Sequence, residues 1–557
     1  YVYYTPAYSL HFERQPSGPR DGLLKRYSMN IVEDQALQFS IPYNLADDIY
    51  SRVDKCEITK SQGFSKEILL FWNHKEVSVA ASILDQAQPD PNLPKVPSPI
   101  LRDYKWPGIH RPFEHQKDTA SFLSVRQRAF CFNEAGTGKT SAAIWAADYL
   151  MELGIIKKVL VVCPLSIMYS AWQADVFKTA MHRTCAVAYG TSEKRKKVID
   201  NNYDFTIINY DGTHVIFNEL LAAKFDLIIV DEANAYKTAS TKRWKTLAKL
   251  LTPDTWLWMM TGTPASQSPL DAFGLARLVS PQRVPKFTTA WRDKVMYQAT
   301  KFKWLPRPTH KMEVFKALQP AVRYTKKECL DLPELTYQTR DVPLTAQVAK
   351  YYKVLKQQML IEAGGEQVSA VNAAASLNKL LQISGGAVYT DKHQVVEFDI
   401  SPRLNALKEV LDETTNKVVV FVPYFHTIDV VTKFLNGEGI TNEVIQGSVA
   451  AQERSEIIKR FQTMDDPHVL VIQPQSAAHG ITLTAADTIV FWSPVMSVET
   501  YLQCIGRIER VGQTNKMTVV HLQGSDVEKK MYAMLQGKVD SHQKIVDLYS
   551  NVLSEEA

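Results

Sequence analysis

The octapeptide Asn133-Glu134-Ala135-Gly136-Thr137-Gly138-Lys139-Thr140 decides the fold. A short apolar run, Ala129 to Phe132, precedes it, and an apolar-rich stretch, 141–151, follows it. Strand, glycine turn and helix in this order are the setting of a phosphate-binding loop, because glycines let backbone amides approach a phosphate and a helix N-terminus favours negative charge. In such a loop Lys139 reaches the β- and γ-phosphates and the Thr140 hydroxyl binds Mg²⁺. The stretch therefore predicts a nucleotide-binding site.

The sequence around this loop alternates strand-like and helix-like segments, a pattern typical of a parallel sheet covered by helices on both faces. One largely apolar run, Phe225 to Val230, ends in Asp231 and Glu232. Open α/β sheets bind ligands at the carboxyl ends of their strands, so both acids are expected at the nucleotide site. In phosphate-loop enzymes one such acid holds Mg²⁺ and its neighbour polarises the attacking water. The alternative, two acids at the positive end of a helix, is common in general but less favoured downstream of a phosphate loop.

A second α/β segment begins after Asp331-Leu332-Pro333 and has no glycine loop of its own. Near its end, Arg507 and Arg510 stand three residues apart, which predicts both guanidinium groups on one face of a helix. Paired guanidinium groups suit a cluster of phosphate oxygens. An exposed basic helix end explains this stretch equally well on its own. Together with the upstream loop, however, the pair indicates an ATPase whose site receives residues from two lobes.

The outlying segments are interpreted from composition and local patterning. Residues 1–83 are predicted as a β-rich domain, in which Glu67–Trp72 and Glu76–Ala80 form a hairpin. This domain either reads the substrate or braces the first lobe, with equal weight for both. The proline-rich stretch 84–107 predicts an extended linker. Residues 525–557 are predicted as a C-terminal helical brace, because Ser525 begins a capping box.

Residues 283–330 are predicted as a helical, basic insert in the first lobe. Its basic residues alternate with aromatic ones, and they are Lys286, Arg292, Lys294, Lys301, Lys303 and Arg307 beside Trp291, Tyr297, Phe302 and Trp304. Basic and aromatic residues together can follow a phosphate backbone. A solvated helical insert without a partner is about as favoured.

The composition is that of an ordinary globular protein, with 45% hydrophobic and 22% charged residues among 557. A net charge of +5 permits a nucleic-acid partner without requiring one. The six cysteines are scattered and form no Cys-x-x-Cys pair, which predicts no zinc site. The sequence contains no run of about 18 apolar residues, so no membrane contact is expected and the location is predicted to be intracellular.

From about His110 to Tyr532 the chain resembles the superfamily-two helicase-like ATPases of the Swi/Snf type. The family's sequence blocks occur here in order, namely Gln116, Asn133 to Thr140, Val161 to Ser166 with Trp172, Asp231-Glu232, Thr261 to Pro264, Ser476 to Leu483, and Gly512-Gln513 after Arg510. The last pair is the family's most specific mark and separates it from DEAD-box RNA helicases.

The resemblance implies two tandem RecA-like lobes, at 108–335 and 336–524, that sandwich Mg·ATP. Lys139, Glu232, Arg507 and Arg510 would be catalytic, and Thr140 and Asp231 would hold the metal. Nucleotide contacts would come from Gln116, Asn133, Gly136, Thr137, Gly138, Lys139, Thr140, Asp231, Gly480, Arg507 and Arg510. Nucleic acid would contact Pro164, Ser166, Thr263, Ser476 and Thr482. Hydrolysis would be coupled to movement through Asn234, Thr261 and Gln503.

Three departures from the family pattern stand out. Asn234 replaces the usual histidine, Ala477-Ala478-His479-Gly480 replaces a glycine-rich block, and the approach Ser497 to Gln503 is similar to compact phage-encoded members. The function implied is an ATP-driven motor on double-stranded or branched DNA, monomeric and cytoplasmic in a bacterium, acting in replication, recombination or repair. A strand-separating helicase and a nucleic-acid-binding scaffold with a degenerate ATPase are the alternatives.

Overall fold

The computed structural model describes residues 29–87, 93–262, 264–265, 268–300, 303–363, 370–389, 395–477 and 481–537. The chain divides into two compact units, Tyr1–Cys329 and Leu330–Ala557. The predicted fold class is confirmed, because each unit contains a parallel sheet and the first also contains an antiparallel one. The second unit begins at Leu330, whereas the predicted first lobe extends to residue 335. Among the described residues, no helix is long and apolar enough to span a bilayer.

The antiparallel sheet lies near the start of the described chain, with strand order β1-β2-β4-β3. Its elements are β1 Asn30–Val32, β2 Ala36–Pro42, helix Tyr43–Arg52, β3 Cys56–Gln62, β4 Ser65–Phe71 and helix His74–Gln86. The predicted second hairpin strand, Glu76–Ala80, is wrong because it lies inside the last helix. Asn73 caps this helix by accepting a hydrogen bond from the Glu76 N–H. Four residues at helical spacing are buried, namely Val77, Ala80, Ala81 and Leu84.

The proline-rich stretch after this helix is packed against both neighbouring parts of the first unit. Trp72 of the antiparallel part donates from Nε1 to the Pro97 carbonyl at 2.9 Å. The Ser98 N–H donates to Oγ of Ser121, in a helix of the parallel-sheet part, at 2.9 Å. Residues 96–100 are all buried. The prediction of an extended linker is therefore wrong for the described residues, because residues 96–100 form a buried seam between the two parts of the first unit.

The first parallel sheet has seven described strands in the order β13-β5-β10-β9-β6-β8-β7. The strands of this part are β5 Arg128–Cys131, β6 Val159–Cys163, β7 Cys185–Val187, β8 Phe205–Asn209, β9 Leu227–Val230, β10 Trp256–Met260, β11 Met296–Thr300, β12 Lys303–Pro306 and β13 Ala321–Val322. The inner strands are nearly all apolar, as expected where both faces are covered.

Helices and short helical turns cover this sheet. They are Ile100–Asp103, Glu114–Ser124, Lys139–Glu152, Leu165–Ile167, Met168–Gln173, Ala174–Thr179, Ser192–Asp200, Gly212–Val215, Phe217–Ala223, Ala233–Tyr236, Lys242–Leu250, Asp271–Val279, Pro281–Arg283, Thr288–Val295, His310–Ala317 and Lys326–Cys329. The predicted insert 283–330 is only partly helical, because β11 and β12 form an antiparallel hairpin between its two longer helices. Aromatic and β-branched side chains, such as Tyr297, Thr300 and Trp304, favour this extended pairing.

The second unit contains another parallel sheet, with six described strands in the order β14-β21-β20-β17-β19-β18. Its strands are β14 Leu335–Asp341, β15 Ala387–Tyr389, β16 Val395–Glu397, β17 Lys417–Phe421, β18 Asn442–Ile445, β19 Val469–Ile472, β20 Ala486–Phe491 and β21 Met517–Gln523, of which β15 and β16 pair separately. Its helices are Ala346–Ala363, Ala370–Gly385, Ser401–Asp412, Phe425–Gly437, Ala451–Thr463, Pro474–Ala477, Val498–Ile505 and Asp526–Leu535.

The last described helix is fixed to the second sheet by apolar and ionic contacts. Ser525 and Glu528 form the predicted capping box, which is confirmed. Val527 and Met531 join the core of the second sheet. Glu528 is fully buried and accepts two hydrogen bonds from Nη2 of Arg403, at 2.8 and 2.9 Å. Residues 538–557 of the predicted brace lie outside the described residues.

Candidate functional site

The glycine loop stands between the end of β5 and the start of helix Lys139–Glu152, as the sequence predicts. Gly136 and Gly138 have φ angles of 89° and 78°, in the left-handed region that favours glycine. A Cβ atom on Gly138 would stand 1.9 Å from Nε2 of Gln116, so a side chain here would displace the end of that glutamine. The loop therefore presents backbone rather than side chains at the first turn of the helix.

Two side chains from the preceding helix support the loop from behind. His115 donates from Nε2 to the Thr137 carbonyl at 2.7 Å. Gln116 donates from Nε2 to the same carbonyl at 3.4 Å, and its Oε1 accepts from the Phe113 N–H at 2.9 Å. Asn133 donates from Nδ2 to Oγ1 of Thr119 at 2.8 Å. Its Oδ1 is buried and has no hydrogen-bond partner among the described residues, which leaves one polar atom of the loop unsatisfied.

The loop is also bonded to the chain segment that leaves the first unit. The Glu134 N–H donates to the Tyr324 carbonyl at 3.0 Å. Oε2 of Glu134 accepts from the Lys326 N–H at 3.0 Å, and Oε1 lies 3.9 Å from Nη2 of Arg323. Tyr324 in turn donates from its hydroxyl to Asp118 of the supporting helix. The phosphate loop and residues 323–326 therefore form one hydrogen-bonded group.

Asp231 and Glu232 follow β9 at the carboxyl edge of the sheet, where the sequence predicts them. Asp231 is buried and accepts hydrogen bonds from Nε1 of Trp172 at 3.0 Å and from the Glu232 N–H at 2.9 Å. Burial raises the pKa of the Asp231 carboxyl, while the positive charge of Lys139 opposes that shift. Lys139 and Asp231 are therefore electrostatically coupled inside one site.

Glu232 has a left-handed backbone with φ of 47°, which is strained for a residue other than glycine. Tyr210 stabilises this conformation from the end of β8, which is separated from β9 by strand β6. Its hydroxyl donates to the carbonyls of Asp231 at 2.6 Å and Glu232 at 3.1 Å. Burial raises the pKa of Tyr210 well above its ordinary value. The strained turn thus has its own hydrogen-bonded support.

The residues of this edge fit a nucleoside triphosphate with Mg²⁺. Two glycines at positive φ bare the backbone, a 14-residue helix begins beside them, and Lys139 is 9% exposed. Helix N-termini and bared backbone amides bind phosphate, and a carboxylate beside a hydroxyl suits Mg²⁺. Thr140 and Asp231 provide the hydroxyl and the carboxylate, and Lys139 provides a cation for the phosphates.

The Thr261 block lies against the phosphate loop. The Thr261 N–H donates to the Cys131 carbonyl at 3.0 Å, and a Cβ atom on Gly262 would stand 3.3 Å from the backbone nitrogen of Ala135. Asn234 lies in the short turn Ala233–Tyr236, directly after Glu232, and its carbonyl accepts from the Lys237 N–H at 3.2 Å. Of the predicted coupling residues, Thr261 thus lies beside the phosphate loop in space, and Asn234 lies two residues after Glu232 in the sequence. Their roles in coupling stay predictions.

The predicted nucleic-acid contacts are placed unevenly. Ser166 and Thr482 are exposed, whereas Pro164 is buried. Ser476 is 9% exposed and donates to Oε1 of Gln473 at 3.4 Å. Thr263 and Gly480 lie outside the described residues.

Arg507 and Arg510 do not share a helix face, because the helix Val498–Ile505 ends before them. Both lie in the turns after this helix, and that part of the prediction is wrong. They converge all the same: Nη1 of each donates to the Ile481 carbonyl, at 3.3 Å from Arg507 and 2.8 Å from Arg510. Arg507 also donates from Nε to the Gln503 carbonyl at 2.8 Å, and Arg510 donates from Nη1 to Oγ1 of Thr482 at 2.9 Å. Two predicted phosphate-binding residues and a predicted nucleic-acid contact thus form one group.

Sequence reasoning missed Tyr210 and the hydrogen bond from Trp172 to Asp231. The position of Tyr210 was the available signal, because it follows a buried strand at the edge where the acids stand. Trp172 lies in an irregular helical turn, Met168–Gln173, so no local pattern indicates its contact with Asp231.

Two family models match the chain. The SNF2-related domain matches residues 115–385, and the helicase conserved C-terminal domain matches residues 402–512. The chain belongs to the Snf2 family of helicase-like ATPases. The first match contains the glycine loop and the acid pair of this Snf2-family enzyme, and the second contains both arginines. The predicted family and the predicted ATPase class are confirmed.

The relatives of this Snf2-family chain include cellular and phage proteins. Chromodomain-helicase-DNA-binding protein 1-like of Mus musculus is 24% identical over 489 residues, which cover 82% of this chain and 52% of the mouse protein. Protein p41 of Acyrthosiphon pisum secondary endosymbiont phage 1 is 26% identical over 439 residues, which cover 74% of this chain and 90% of the phage protein. The chain therefore spans about half the length of the mouse relative.

Among solved structures, the Sulfolobus solfataricus SWI2/SNF2 ATPase core in complex with dsDNA is similar. The sequence identity is 22%, the TM-score is 0.39, and the match covers 81% of this chain and 94% of that chain.

Proposed function

We propose that this Snf2-family chain is a DNA translocase, a motor that hydrolyses ATP to move along double-stranded DNA. The observation that carries the proposal is the nucleotide site of the first unit, where bared glycines, Lys139 and a buried Asp231 meet at one sheet edge. Family membership supports ATP as the nucleotide. The name of the mouse relative, which includes helicase and DNA binding, supports DNA as the track.

In the proposed reaction each residue of the first unit has one task. Thr140 and Asp231 would hold Mg²⁺, which supplies positive charge beside the phosphates. Lys139 neutralises the β- and γ-phosphates, and Glu232 orients the attacking water. Tyr210 is a positioning residue, because its hydroxyl stabilises the backbone that aims Glu232.

Arg507 and Arg510 of the second unit are proposed to neutralise the γ-phosphate during hydrolysis. Guanidinium groups in this role stabilise the charge of the phosphoryl-transfer transition state. Their hydrogen bonds to the Ile481 carbonyl support the proposal, because a shared backbone acceptor brings the two cations to one place. Thr261 and Asn234 are proposed to couple this chemistry to DNA movement.

A displacement assay on triple-stranded DNA tests the proposal. A translocase moving along the duplex strips off a fluorescent third strand and leaves the duplex paired. A strand-separating helicase instead releases single strands from the duplex. A scaffold with a degenerate ATPase displaces no strand, and a parallel phosphate-release measurement detects no hydrolysis. The Lys139→Ala variant is the control, because it removes phosphate binding while leaving the second unit unchanged.

The nucleic-acid preference is measured by ATPase stimulation. We expect linear duplex and forked DNA to stimulate hydrolysis more than single-stranded DNA or RNA. A stronger response to forks than to linear duplex would support a proposed role in replication, recombination or repair. Stimulation by RNA alone would contradict the translocase proposal.

A further inference from the structure

The insert of the first unit contains the most one-sided charge in the chain. Residues 283–316 include nine Lys and Arg and two Asp and Glu, a net charge of +7. The whole chain has a net charge of +5, so the residues outside this insert are together slightly negative. The antiparallel part, 29–87, is the opposite case, with five Lys and Arg against nine Asp and Glu. The insert therefore carries an excess of positive charge that the rest of the chain, taken together, does not have.

The insert is a folded platform whose inner face is anchored in the core. Trp291 is fully buried and donates from Nε1 to the Pro269 carbonyl at 3.1 Å. Val295, Met296 and Val314 belong to the same apolar core as strand β10. Because Pro269 follows the Thr261–Pro264 block by a few residues, the insert is fixed to the segment that leaves the nucleotide edge.

The outer face of the insert combines cations with aromatic rings. The guanidinium of Arg292 lies 4.1 Å from the ring centre of Trp304. Arg307 donates from Nε to the carbonyls of Asp293 and Met296 at 2.9 and 3.0 Å, which holds its guanidinium on the hairpin. Phe287 is 64% exposed, with Nζ of Lys286 5.6 Å from its ring centre. Preorganised cations lose less conformational entropy on binding than freely moving ones.

We propose that this outer face, formed by Lys286, Arg292, Arg307 and Lys311, binds the phosphate backbone of duplex DNA as a second contact beside the motor's track. The inference rests on the proposed translocase function, whose substrate it would help to hold. A phosphate backbone is the partner because the face matches a polyanion in charge. Contacts of this kind carry no sequence information, so the face binds DNA regardless of sequence.

Charge reversal with a matched control tests the inference. The triple variant Lys286→Glu, Arg307→Glu, Lys311→Glu is compared with Lys55→Glu, Lys60→Glu, Lys75→Glu, three exposed lysines of the antiparallel part. Binding to a fluorescent 30-base-pair duplex is measured across a series of salt concentrations. Each lost phosphate contact lowers the slope of log K against log salt by about 0.9. We expect the first variant to lose affinity by at least roughly tenfold and its slope by about three, and the control to match the wild type.

Further measurements separate a lost contact from a lost fold. ATPase without DNA should match the wild type in both variants, and the melting temperature should match it in the control. Arg307→Glu removes two hydrogen bonds of the hairpin, so the triple variant should melt somewhat lower. The double variant Lys286→Glu, Lys311→Glu, which keeps Arg307 on the hairpin, should show an intermediate loss.

Other outcomes overturn the inference in distinct ways. A wild-type slope in the triple variant, or equal losses in the control, would exclude the insert as a contact while leaving the translocase proposal intact. A loss confined to duplex RNA would assign the face to another partner. A wild-type protein that does not bind duplex DNA would instead refute the proposed function, and this inference with it.

Discussion

The two parallel sheets of this chain are built alike and differ in the loops at their strand ends. In the first sheet a glycine loop comes after β5, and Asp231 with Glu232 comes after β9. By their place in the sheet order, β14 and β20 of the second sheet correspond to β5 and β9 of the first. Val342-Pro343 comes after β14 and Trp492-Ser493 after β20, so the corresponding strand ends carry neither feature. The second unit instead presents Arg507 and Arg510 from turns after a helix. The comparison teaches that one architecture can hold two chemistries, because the connecting loops rather than the sheet supply the reacting groups.

The two sheets also differ because an additional antiparallel part packs in the unit that contains the first sheet. Deleting that part is expected to have the largest effect. The antiparallel part shares a buried core with Val96 and Val125, and the seam around Pro97 is bonded both to Trp72 and to the helix Glu114–Ser124. Deleting residues 1–105 should therefore expose apolar surface and yield insoluble or inactive protein. Expression, solubility and ATPase of the truncated chain measure this. A soluble, active truncation that has lost only its preference for forks would contradict bracing and favour substrate reading.

A point-mutant version of the same test uses two aromatic residues of the antiparallel part. Trp72 is 2% exposed, whereas Phe64 is 89% exposed. Trp72→Ala should lower the free energy of unfolding by about 3–5 kcal/mol, as expected for removing a large buried side chain. Phe64→Ala should change it by less than about 0.5 kcal/mol. Urea unfolding followed by fluorescence compares the two, and similar values would refute the buried seam.

The arginines of the second unit should affect turnover without affecting ATP binding. We expect Arg510→Ala to bind ATP almost normally and to lose roughly 10³-fold in turnover with saturating DNA, the scale of a transition-state arginine. Arg507→Lys should not restore activity, because an ammonium group cannot reproduce the bidentate guanidinium fork. Fluorescent-nucleotide binding and phosphate release are measured together. Parallel losses of binding and turnover would assign Arg510 to the ground state instead.

The acid pair of the first unit should show the next largest effect. Glu232→Gln keeps the side-chain shape and should keep nucleotide affinity while lowering turnover by about 10²-fold, the scale of a lost general base. Lys139→Ala should weaken ATP binding itself, because it removes the cation beside the phosphates. Near-normal turnover of Glu232→Gln in a single-turnover assay would show that another group orients the water.

The smallest effect is expected at Asn234. An asparagine side chain can donate and accept hydrogen bonds but carries no charge, so it can still link the Glu232 turn to its neighbours. Asn234→His should change the ratio of DNA-stimulated to basal ATPase by a few fold, and Asn234→Ala should lower it. An unchanged ratio in both variants would mean that this departure from the family has no effect on coupling.

The candidate nucleotide site at the carboxyl edge of the first sheet was predictable because the sequence patterns that indicate it are local. A strand, a glycine turn and a helix succeed one another directly, and the acids come immediately after a buried strand. The predicted helix through Arg507 and Arg510 is absent, because the helix Val498–Ile505 ends at Gly506. This glycine was the sequence signal for the helix end. The helix beginning at His74 also had its signal in Asn73, a favoured N-cap residue.

Other features depend on contacts between distant parts of the chain. Tyr210 reaches the carbonyls of Asp231 and Glu232 only because β8 and β9 both flank β6. The seam around Pro97 is bonded on one side to Trp72, which follows β4 of the antiparallel sheet. On the other side it is bonded to Ser121, in a helix of the parallel-sheet part. Such contacts have no local pattern, so composition alone made the proline-rich stretch resemble a linker.

The bonds between Glu134 and residues 323–326 have a mechanical consequence. Those residues immediately precede the point where the chain passes from the first unit to the second. Tension along the chain between the units acts on this covalent connection, and its near end is bonded to the phosphate loop. In the proposed translocase, a force along this connection is thereby applied to the nucleotide site as well as to the DNA. The stall force and the ATP dissociation rate of this enzyme should consequently vary together when the Glu134 carboxylate is removed.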